Sequence, residues 1–453
     1  MDEENRFHVV MLPWLAMGHL IPFLELSKCL AQRGIKISYL SSPRNIERVQ
    51  SRIPTSLKPL INLIPLPLPP VQDLPPNAEA TIDLPFNKGH FLQKAFDGLE
   101  TSLRHFIKHS PPNWIIYDFS AHWLPTVAAQ HHIPCAFLTL CSAATASLFR
   151  QSSSSSSSSP PSPQPQFRQF EINRVRTIET EVNDPKLSVG HRFAKCIMGC
   201  DVVLMRTCSE FESEMLGYVE REILRKPIAQ LGGFAPSVCE TEELISSTDE
   251  FDKIDDWLNK QNPESVLYVA LGSEAALNQD ELDELALGLE LSDLPFFWVF
   301  RNPPSSNLEL PNGFIGRTSD RGVVWEGWAP QVRILGHASV GGFLTHCGWN
   351  SVIEGLGLGR ALVLFPCIWE QGLNARLMES KGVGVEVPRD ESEGSFTREA
   401  VARTVRRVMV DEDGEVVRRN AREMKRVFGN RELHDRYMDE LVKYLKDHEK
   451  CKE

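Results

Sequence analysis

The densest group of residues able to do chemistry lies in the block Trp328–Gln371, around the sequence His346-Cys-Gly-Trp-Asn-Ser. A glycine-containing apolar stretch leads into this sequence, and a helix is predicted to begin there and to continue through Glu354. The first N–H groups of a helix have no partner inside it and lie at the positive end of its dipole. With side-chain donors from His346, Asn350 and Ser351, this arrangement is typical of a diphosphate site that needs no lysine.

Two further residues of this block suit the other parts of a nucleotide. Glu354 lies three residues after Ser351 on the same helix face, where a carboxylate can accept two hydrogen bonds from a ribose diol. Trp328 lies two residues before a proline, in a stretch that favours extended backbone, and a flat aromatic ring in a loop can stack on uracil. Each residue alone could be a helix cap, a core aromatic or a solvated carboxylate; their joint occurrence indicates a nucleotide site.

A second candidate site is built on His19, which follows Gly18 after the first predicted strand. Imidazole is largely neutral near pH 7 and can take a proton from a hydroxyl group. Such a base needs a partner that fixes its tautomer and stabilises the imidazolium. Asp118, at the end of the predicted strand Trp114–Tyr117, can be that partner if the strand lies near the first one. His122 is an alternative base, and His19 alone could be an ordinary structural residue.

The elements that must position these residues form two βα-rich halves. A strand at Phe7–Leu12, a helix at Ile21–Gln32 and a strand at Ile35–Leu40 make a βαβ unit, which implies a parallel sheet. Open sheets of this kind bind ligands at the carboxyl ends of their strands. The pattern recurs with strands at Trp114–Tyr117, Ala136–Leu140, Ser265–Leu271, Phe296–Arg301, Gly322–Trp325 and Val340–Thr345, and with helices at about 123–130 and Asn278–Leu291.

The predicted organisation is a first domain over residues 1–240 and a second over 241–430, with a linker at about 236–250. The run Ser152–Ser159 and the prolines after it cannot bury a core, and they predict a disordered surface loop at about 151–166. The chain ends in a charged amphipathic helix, Arg431–Lys446.

Composition limits the class of protein. The 453 residues are 42% hydrophobic, which excludes a wholly disordered chain, and the formal charge of −12 argues against nucleic acid as the main partner. No apolar stretch is long enough to span a membrane, and the acidic, proline-containing start does not resemble a secretion signal. The ten scattered cysteines favour reduced thiols. These features together predict a cytoplasmic protein.

Two patterns could be read as metal ligands. Cys196 and Cys200 lie four residues apart on a predicted helix, but no further ligand follows at metal-binding spacing, so a buried helix face is favoured. The acidic sequence Asp411-Glu-Asp lies far from the nucleotide block and is interpreted as a solvated turn. No metal site is therefore expected.

The block Trp328–Gln371 resembles the donor-binding signature of plant family 1 UDP-glycosyltransferases. The resemblance includes Trp-x-Pro-Gln at Trp328, the core at His346, the glutamate at Glu354 and the acidic residue and glutamine at the end. It covers nearly the whole chain and is closest to the branch that extends sugar chains, which includes steviol-glycoside glucosyltransferases and saponin rhamnosyltransferases. The segments similar to that branch are Leu12-Pro-Trp-Leu-Ala-x-Gly-His-Leu-Ile-Pro, Ser42-Pro-Arg-Asn-Ile, Ala95-Phe-Asp-Gly-Leu, Tyr268-Val-Ala-Leu-Gly-Ser-Glu and Glu284–Leu291.

The resemblance implies an α/β fold of the GT-B type, with two Rossmann-like domains facing a cleft. The first domain would hold the acceptor and the second the UDP-sugar, and the last helix (about 431–453) would cross back to the first domain. The resemblance also implies a role for individual residues. The UDP-sugar residues would be Trp328 and Ala329 for uracil, Gln331 and Glu354 for ribose, His346, Asn350, Ser351 and Ser273 for phosphate, and Glu370, Gln371 and the nearby Trp349 for sugar.

The implied reaction is an inverting transfer of a sugar from a UDP-sugar, with His19 and Asp118 as the catalytic pair and no metal or other cofactor. Glucose is the expected sugar, although the family usually has aspartate where this chain has Glu370. The expected acceptor is a terpenoid or flavonoid glycoside, extended through a 1→2 linkage by a monomeric enzyme. Direct glycosylation of an aglycone and a rhamnosyl donor are alternatives. Candidate acceptor-binding residues are Phe86, His90, Ser120, Trp123, Thr145 and Phe149.

Two other classes of function have different sequence requirements. A glycoside hydrolase or phosphorylase would need a pair of carboxylates suitably placed for it, and none is seen. A catalytically inactive UDP-sugar binder would keep Trp328 and Glu354 and lose the base, yet His19 and Asp118 are both present.

Overall fold

The computed structural model describes residues 6–85, 88–149, 160–161, 164–180, 188–234, 249–272, 277–301 and 308–449. The chain forms two compact units, which are described separately. The first unit comprises Met1–Ser162, Ile178–Phe234 and Arg431–Glu453, and the second comprises Pro163–Thr177 and Ala235–Asn430. The sequence did not predict that Pro163–Thr177 would group with the second unit. Most of the predicted linker and most of the predicted serine-rich loop lie outside the described residues.

The first unit contains a sheet of seven parallel strands in the order β3-β2-β1-β4-β5-β6-β7. Its strands are β1 (His8–Leu12), β2 (Lys36–Ser41), β3 (Ile61–Pro65), β4 (Trp114–Tyr117), β5 (Cys135–Thr139), β6 (Val202–Met205) and β7 (Ile228–Gln230). Its helices are α1 (Met17–Gln32), α2 (Pro43–Gln50), α3 (Gly89–Asp97), α4 (Glu100–His109), α5 (Leu124–Gln130), α6 (Ala143–Ala146), α8 (Val189–Gly199) and α9 (Ser209–Tyr218), while α7 (Gln169–Thr180) begins in the second unit.

The predicted βαβ unit at the start of the chain is confirmed. All five residues of β1 are buried, and β1 pairs in parallel with β2 and with β4. A strand with apolar residues on both faces needs helices on both sides, which is the usual setting of parallel sheets. The order reverses at β1, since β2 lies on one side and β4 on the other. The segments that follow β1 and β4 therefore start next to each other at the same edge of the sheet.

The C-terminal helix Arg431–Asp447 belongs to the first unit. Leu441 and Leu445 are buried in the same apolar core as Leu24 of α1. The indole Nε1–H of Trp114 donates to the carbonyl oxygen of Leu445 over 2.8 Å. This helix thus closes the core of the first unit, although the whole second unit lies before it in the sequence.

The second unit contains six parallel strands in the order β10-β9-β8-β11-β12-β13. Its strands are β8 (Val266–Ala270), β9 (Phe296–Phe300), β10 (Gly322–Glu326), β11 (Val340–Thr345), β12 (Ala361–Leu364) and β13 (Gly384–Glu386). Its helices after α9 are α10 (Asp249–Leu258), α11 (Gln279–Ser292), α12 (Phe314–Thr318), α13 (Gln331–Gly336), α14 (Trp349–Gly357), α15 (Gln371–Ser380), α16 (Arg398–Met409) and α17 (Glu415–Phe428). The C-terminal helix of the first unit, Arg431–Asp447, is α18. The order reverses at β8, beside β11, whose carboxyl end leads into α14.

Further sequence expectations can be compared with the described residues. No helix in the described ranges has the length and apolar character that crossing a membrane requires. Cys196 and Cys200 are buried, and the Cys196 thiol lies 3.3 Å from the carbonyl oxygen of Phe119, which agrees with the buried helix face. No group of three or more potential ligand residues that could hold a metal ion occurs in the part of the chain that the structure describes.

Candidate active site

His19 and Asp118 are brought together at the carboxyl edge of the first sheet. His19 lies in the first turn of α1, and its Nδ1 lies 2.7 Å from Oδ2 of Asp118. The carboxylate is 3% exposed and the imidazole 28% exposed, so the acid is buried and the ring is partly accessible to solvent. A carboxylate at Nδ1 holds the proton on that nitrogen and places the lone pair of the neutral ring on Nε2.

Asp118 is held in place by the backbone as well as by the imidazole. Its Oδ2 accepts the N–H of Trp14 at 3.0 Å, and its Oδ1 accepts the N–H of Phe119 at 2.8 Å. The Phe119 ring lies 5.6 Å from the imidazole ring of His19. Three N–H groups, from Trp14, Phe119 and the His19 ring, thus fix the position of the carboxylate, which can then orient the imidazole.

His122, the alternative base, is engaged elsewhere. The Nη1 group of Arg192 donates to Nδ1 of His122 over 3.0 Å and to the carbonyl oxygen of Ser120 over 2.8 Å. Arg192 is fully buried and forms a bidentate pair with Asp97. Burial and the neighbouring guanidinium lower the pKa of His122, which makes it a weak proton acceptor. This geometry favours His19 over His122 as the base.

The predicted acceptor-binding residues have different surroundings. Ser120 Oγ and Trp123 Nε1 are buried and have no hydrogen-bond partner among the described residues. Phe149 packs 4.8 Å from Phe193, whereas His90 lies on α3 against Phe91. Thr145 is 3% exposed and belongs to the first turn of α6, where Ser142 caps its N–H. Phe86 lies outside the described residues.

The nucleotide block places the start of α14 directly after β11. Gly348 is the N-cap residue, and because it has no side chain it provides no side-chain cap for the first N–H groups of α14. Asn350 and Ser351 lie in this first turn, as predicted. The helix has nine residues and packs against α17. Its amino end is the positive end of the helix dipole, which favours a bound anion.

Three of the predicted residues form one polar cluster. The Nε2 group of Gln331 donates to Oε2 of Glu354 over 2.7 Å and to Oγ of Ser351 over 3.3 Å. Gln331 begins α13, and the other two residues lie one turn apart on α14. The cluster presents a carboxylate beside a hydroxyl, which is a suitable pair of acceptors for a vicinal diol.

His346 lies in the turn between β11 and α14, enclosed by two glycines. A Cβ atom at Gly272 would lie 2.7 Å from Cε1 and Nε2 of the ring, and one at Gly348 would lie 2.5 Å from Nε2. Gly272 also has a φ of +78°, a conformation that favours glycine. The ring nitrogen Nδ1 is buried without a partner among the described residues. Burial lowers the pKa of His346 to about 4, so the neutral ring can offer a hydrogen bond and not a charge at pH 7.

The depressed pKa of His346 predicts a pH-dependent stability. Its folded pKa of about 4 lies below the unfolded value of about 6.5, so its contribution is complete above pH 6.5 and is lost as the pH falls towards 4. We expect the difference in unfolding free energy between pH 7 and pH 4.5 to be smaller in His346→Gln by about 2 kcal/mol. Urea unfolding at both pH values measures it, with the exposed His105→Gln as the control. An unchanged pH dependence in His346→Gln would contradict this prediction.

Gln371 forms a local structure with the loop that precedes it. Its Oε1 accepts the N–H groups of Cys367 and Ile368, each at 3.0 Å. The side chain is 7% exposed and starts α15, directly after Glu370. Because the amide oxygen is engaged by the loop, a bound ligand would meet the Nε2 donor of this side chain.

The two tryptophans of the block lie in contrasting environments. Trp328 is 46% exposed in the loop between β10 and α13, and Ala329 beside it is 7% exposed. A large exposed aromatic in a loop provides a stacking surface. Trp349 is only 2% exposed, and its ring packs edge-on against Phe428 of α17. The Trp349 ring is therefore part of the packing between α14 and α17. Ser273 lies outside the described residues.

Sequence reasoning missed several residues that support these groups. Arg192 holds the segment after Asp118, while Arg389 and Arg174 bind the loop before Gln371. Their partners are 72, 23 and 193 positions away in the chain. Local periodicity carries no signal for such distant contacts.

Comparisons with known proteins cover the same residues. A family model described as UDP-glucoronosyl and UDP-glucosyl transferase matches residues 243–437, and one described as the N-terminal domain of glycosyltransferases matches residues 5–223. UDP-glycosyltransferase 91C1 of Arabidopsis thaliana is 47% identical over 456 residues, covering 98% of this chain and 97% of that protein. Soyasaponin III rhamnosyltransferase of Glycine max is 40% identical over 457 residues, covering 98% and 96%.

A solved structure supports the fold. Phytolacca americana UGT2, complexed with UDP-2fluoro-glucose and pterostilbene, aligns with a TM-score of 0.74 and 25% identity, covering 97% of this chain and 100% of that one. This likeness and the two parallel sheets confirm the predicted α/β fold of the GT-B class.

Proposed function

The chain belongs to the UDP-glycosyltransferase family, and from that premise we propose that it transfers glucose from UDP-glucose, with inversion, to a hydroxyl on a terpenoid or flavonoid glycoside. The attached sugar of the acceptor is extended through a 1→2 linkage. The proposal for an acceptor that already carries sugar is supported by the relative from Glycine max, whose name specifies a saponin. That relative is a rhamnosyltransferase, so a rhamnosyl donor is the alternative to be tested.

The observation that carries the proposed mechanism is the 2.7 Å contact between His19 and Asp118. His19 Nε2 takes the proton of the acceptor hydroxyl while the oxygen forms a bond to the anomeric carbon of the donor. The bond from that carbon to the β-phosphate oxygen breaks in the same step, and UDP departs with the electron pair. Asp118 stabilises the imidazolium that forms. A single displacement of this kind inverts the configuration at the anomeric carbon.

UDP binding is assigned to the second unit. Trp328 stacks on uracil and the Ala329 backbone pairs with its edge, while Gln331 and Glu354 bind ribose. The N–H groups at the start of α14, with Asn350, Ser351 and His346, receive the negative charge of the diphosphate as it departs. In the proposed mechanism these neutral donors and the helix dipole stabilise the diphosphate without a metal ion. The enzyme is proposed to act as a cytoplasmic monomer.

The acceptor pocket is proposed beside the catalytic pair. Ser120 and Trp123 follow Asp118 closely and contribute buried polar atoms that lack partners among the described residues. Phe149 and His90 add ring surfaces for an apolar acceptor, and Phe86 remains a sequence-based candidate. Thr145 lies in the first turn of α6 and is proposed to shape the pocket without contacting the acceptor.

A change at Gln371 tests the sugar end of the donor site. Gln371→Glu keeps an oxygen for the two loop N–H groups and replaces the amide donor by a second oxygen. We expect kcat/KM for UDP-glucose to fall about 10- to 100-fold, because an unpaired or repelled polar group is costly at a buried site. The inhibition constant of UDP should change little. Equal losses for UDP and UDP-glucose would contradict the assignment of Gln371 to the sugar.

The proposed function is tested by mass spectrometry of reactions with UDP-glucose, UDP-galactose and UDP-rhamnose against matched glycosides and aglycones. The expected product is the glycoside plus one hexose, with UDP-glucose the preferred donor. A second candidate, glycosylation of the aglycone itself, is suggested by the aglycone pterostilbene bound to the Phytolacca americana enzyme. Product formation on aglycones alone would reject chain extension and favour that second candidate.

A further inference from the structure

The loop between β12 and α15 is held by side chains from three places. Arg389 Nη2 donates to the carbonyl oxygen of Pro366 over 3.0 Å, and Arg174 Nη1 donates to that of Cys367 over 3.1 Å. In addition, the N–H groups of Cys367 and Ile368 donate to Oε1 of Gln371. The backbone just before Glu370 and Gln371 is thus fixed by directional bonds, two of them from arginine.

Arg174 also contacts the helix that follows β8. Its Nη2 pairs with Oε1 of Glu281 over 2.8 Å. Glu281 is the third residue of α11 and completes a capping box with Asn278. The helix α11 follows β8, and the loop bound by Arg174 follows β12; these strands flank β11. A single guanidinium therefore joins the segments on both sides of the turn that carries His346.

The helix that carries Arg174 packs closely on this part of the second unit. A Cβ atom at Gly372, the residue after Gln371, would collide with Oε1 of Glu171, and one at Gly394 would collide with the ring of Phe170. Phe170 is 4% exposed. Glycine at both positions permits this close approach of α7.

Ion pairs add further anchors to α7. Glu171 pairs with Arg376 of α15 over 2.6 Å, and Arg168 pairs with Glu386 of β13 over 2.7 Å. The Arg174 guanidinium lies 5.5 Å from the Phe170 ring, one turn earlier on the same helix. The contact with Phe170 restricts the rotamers of Arg174, so its two hydrogen bonds cost less entropy.

We propose that α7 positions the sugar end of the donor site, with Arg174 as the positioning residue that fixes the loop before Gln371. This inference rests on the proposed function, because it assigns that loop to the sugar of the donor. Arg174 touches neither UDP nor the reacting atoms in this assignment. Its loss should therefore leave the uracil, ribose and phosphate contacts intact and disturb only the orientation of the Gln371 amide.

Arg174→Ala is the test, with Arg176→Ala as the matched control, since Arg176 is an exposed arginine on the same helix. Hydrogen exchange of the 365–371 peptide should be about tenfold faster in Arg174→Ala, because one charged hydrogen bond to the loop is lost. The kcat/KM for UDP-glucose should fall about tenfold, while the inhibition constant of UDP stays within about twofold. Arg176→Ala should match the wild type in all three measurements.

Arg174→Lys provides a second variant. Lysine keeps the charge but reaches only one of the two partners, so it should recover part of the loop protection and part of kcat/KM. Unchanged exchange of the loop in Arg174→Ala would overturn the proposal, as would a loss of UDP affinity that equals the loss in kcat/KM. Absence of transfer by the wild type would overturn the proposed function instead, and the exchange measurement would still decide whether α7 positions the loop.

Discussion

Replacing His19 by alanine is expected to reduce sugar transfer about a thousandfold, which is within the range for loss of a general base. The acceptor hydroxyl would then have to lose its proton to water, since Asp118 is buried and its oxygens are occupied by N–H donors. The affinity for UDP should stay within about twofold, because the proposed donor-binding residues all lie in the second unit. Single-turnover kinetics measures the first effect, and calorimetric titration with UDP measures the second.

His122→Ala is the control for this prediction. His122 is four residues from Asp118, but its Nδ1 accepts from Arg192 and its pKa is lowered. We expect this variant to keep most of the transfer rate. A His19→Ala enzyme with wild-type turnover would remove the proposed base, and a thousandfold loss in His122→Ala alone would assign the role to His122.

Replacing Glu354 by alanine is expected to raise KM for the UDP-sugar about 100-fold, with a smaller effect on kcat. The carboxylate is proposed to accept two ribose hydroxyls, and hydrogen bonds to a charged group contribute about 1.5–3 kcal/mol each. The change also removes the acceptor of the Gln331 amide, which lies 2.7 Å away. Steady-state kinetics with varied UDP-sugar, and inhibition by UDP, measure the effect.

Two variants make the Glu354 experiment specific. Glu399→Ala removes an exposed carboxylate from the first turn of α16 in the same unit and should leave KM unchanged. Glu354→Gln keeps the size and one acceptor oxygen, so its KM should lie between those of the alanine variant and the wild type. If Glu354→Ala and Glu399→Ala had the same KM, Glu354 would not be a ribose ligand.

The local pattern of the sequence predicted the elements that carry the site. The strands at Trp114–Tyr117 and Val340–Thr345 have the bounds expected from their apolar runs. The adjacency of β1 and β4, which places Asp118 beside His19, follows from parallel topology and was anticipated. Short strands such as β7, with three partly exposed residues, have too little apolar periodicity to be recognised.

Contacts between distant parts of the chain could not be predicted from one sequence. The charged pattern of α7 suits a solvated helix equally well, and only the packing of Glu171 and Arg174 explains why the segment groups with the second unit. Trp349 illustrates the same limit, since a tryptophan beside a helix start can face a ligand or the core, and Phe428 of α17 supplies the core partner. Periodicity identifies a face of a helix but not what covers it.

The way in which the backbone surrounds Asp118 restricts how this position can be substituted. Oδ1 receives the N–H of Phe119, and Oδ2 receives the N–H of Trp14 and lies against His19 Nδ1. An asparagine of the same shape has only one oxygen, so in either flip its NH₂ group would face a peptide N–H, donor against donor. The isosteric amide is therefore a poor mimic at this position, and a loss of turnover in Asp118→Asn would combine a misoriented imidazole with a displaced Trp14 segment.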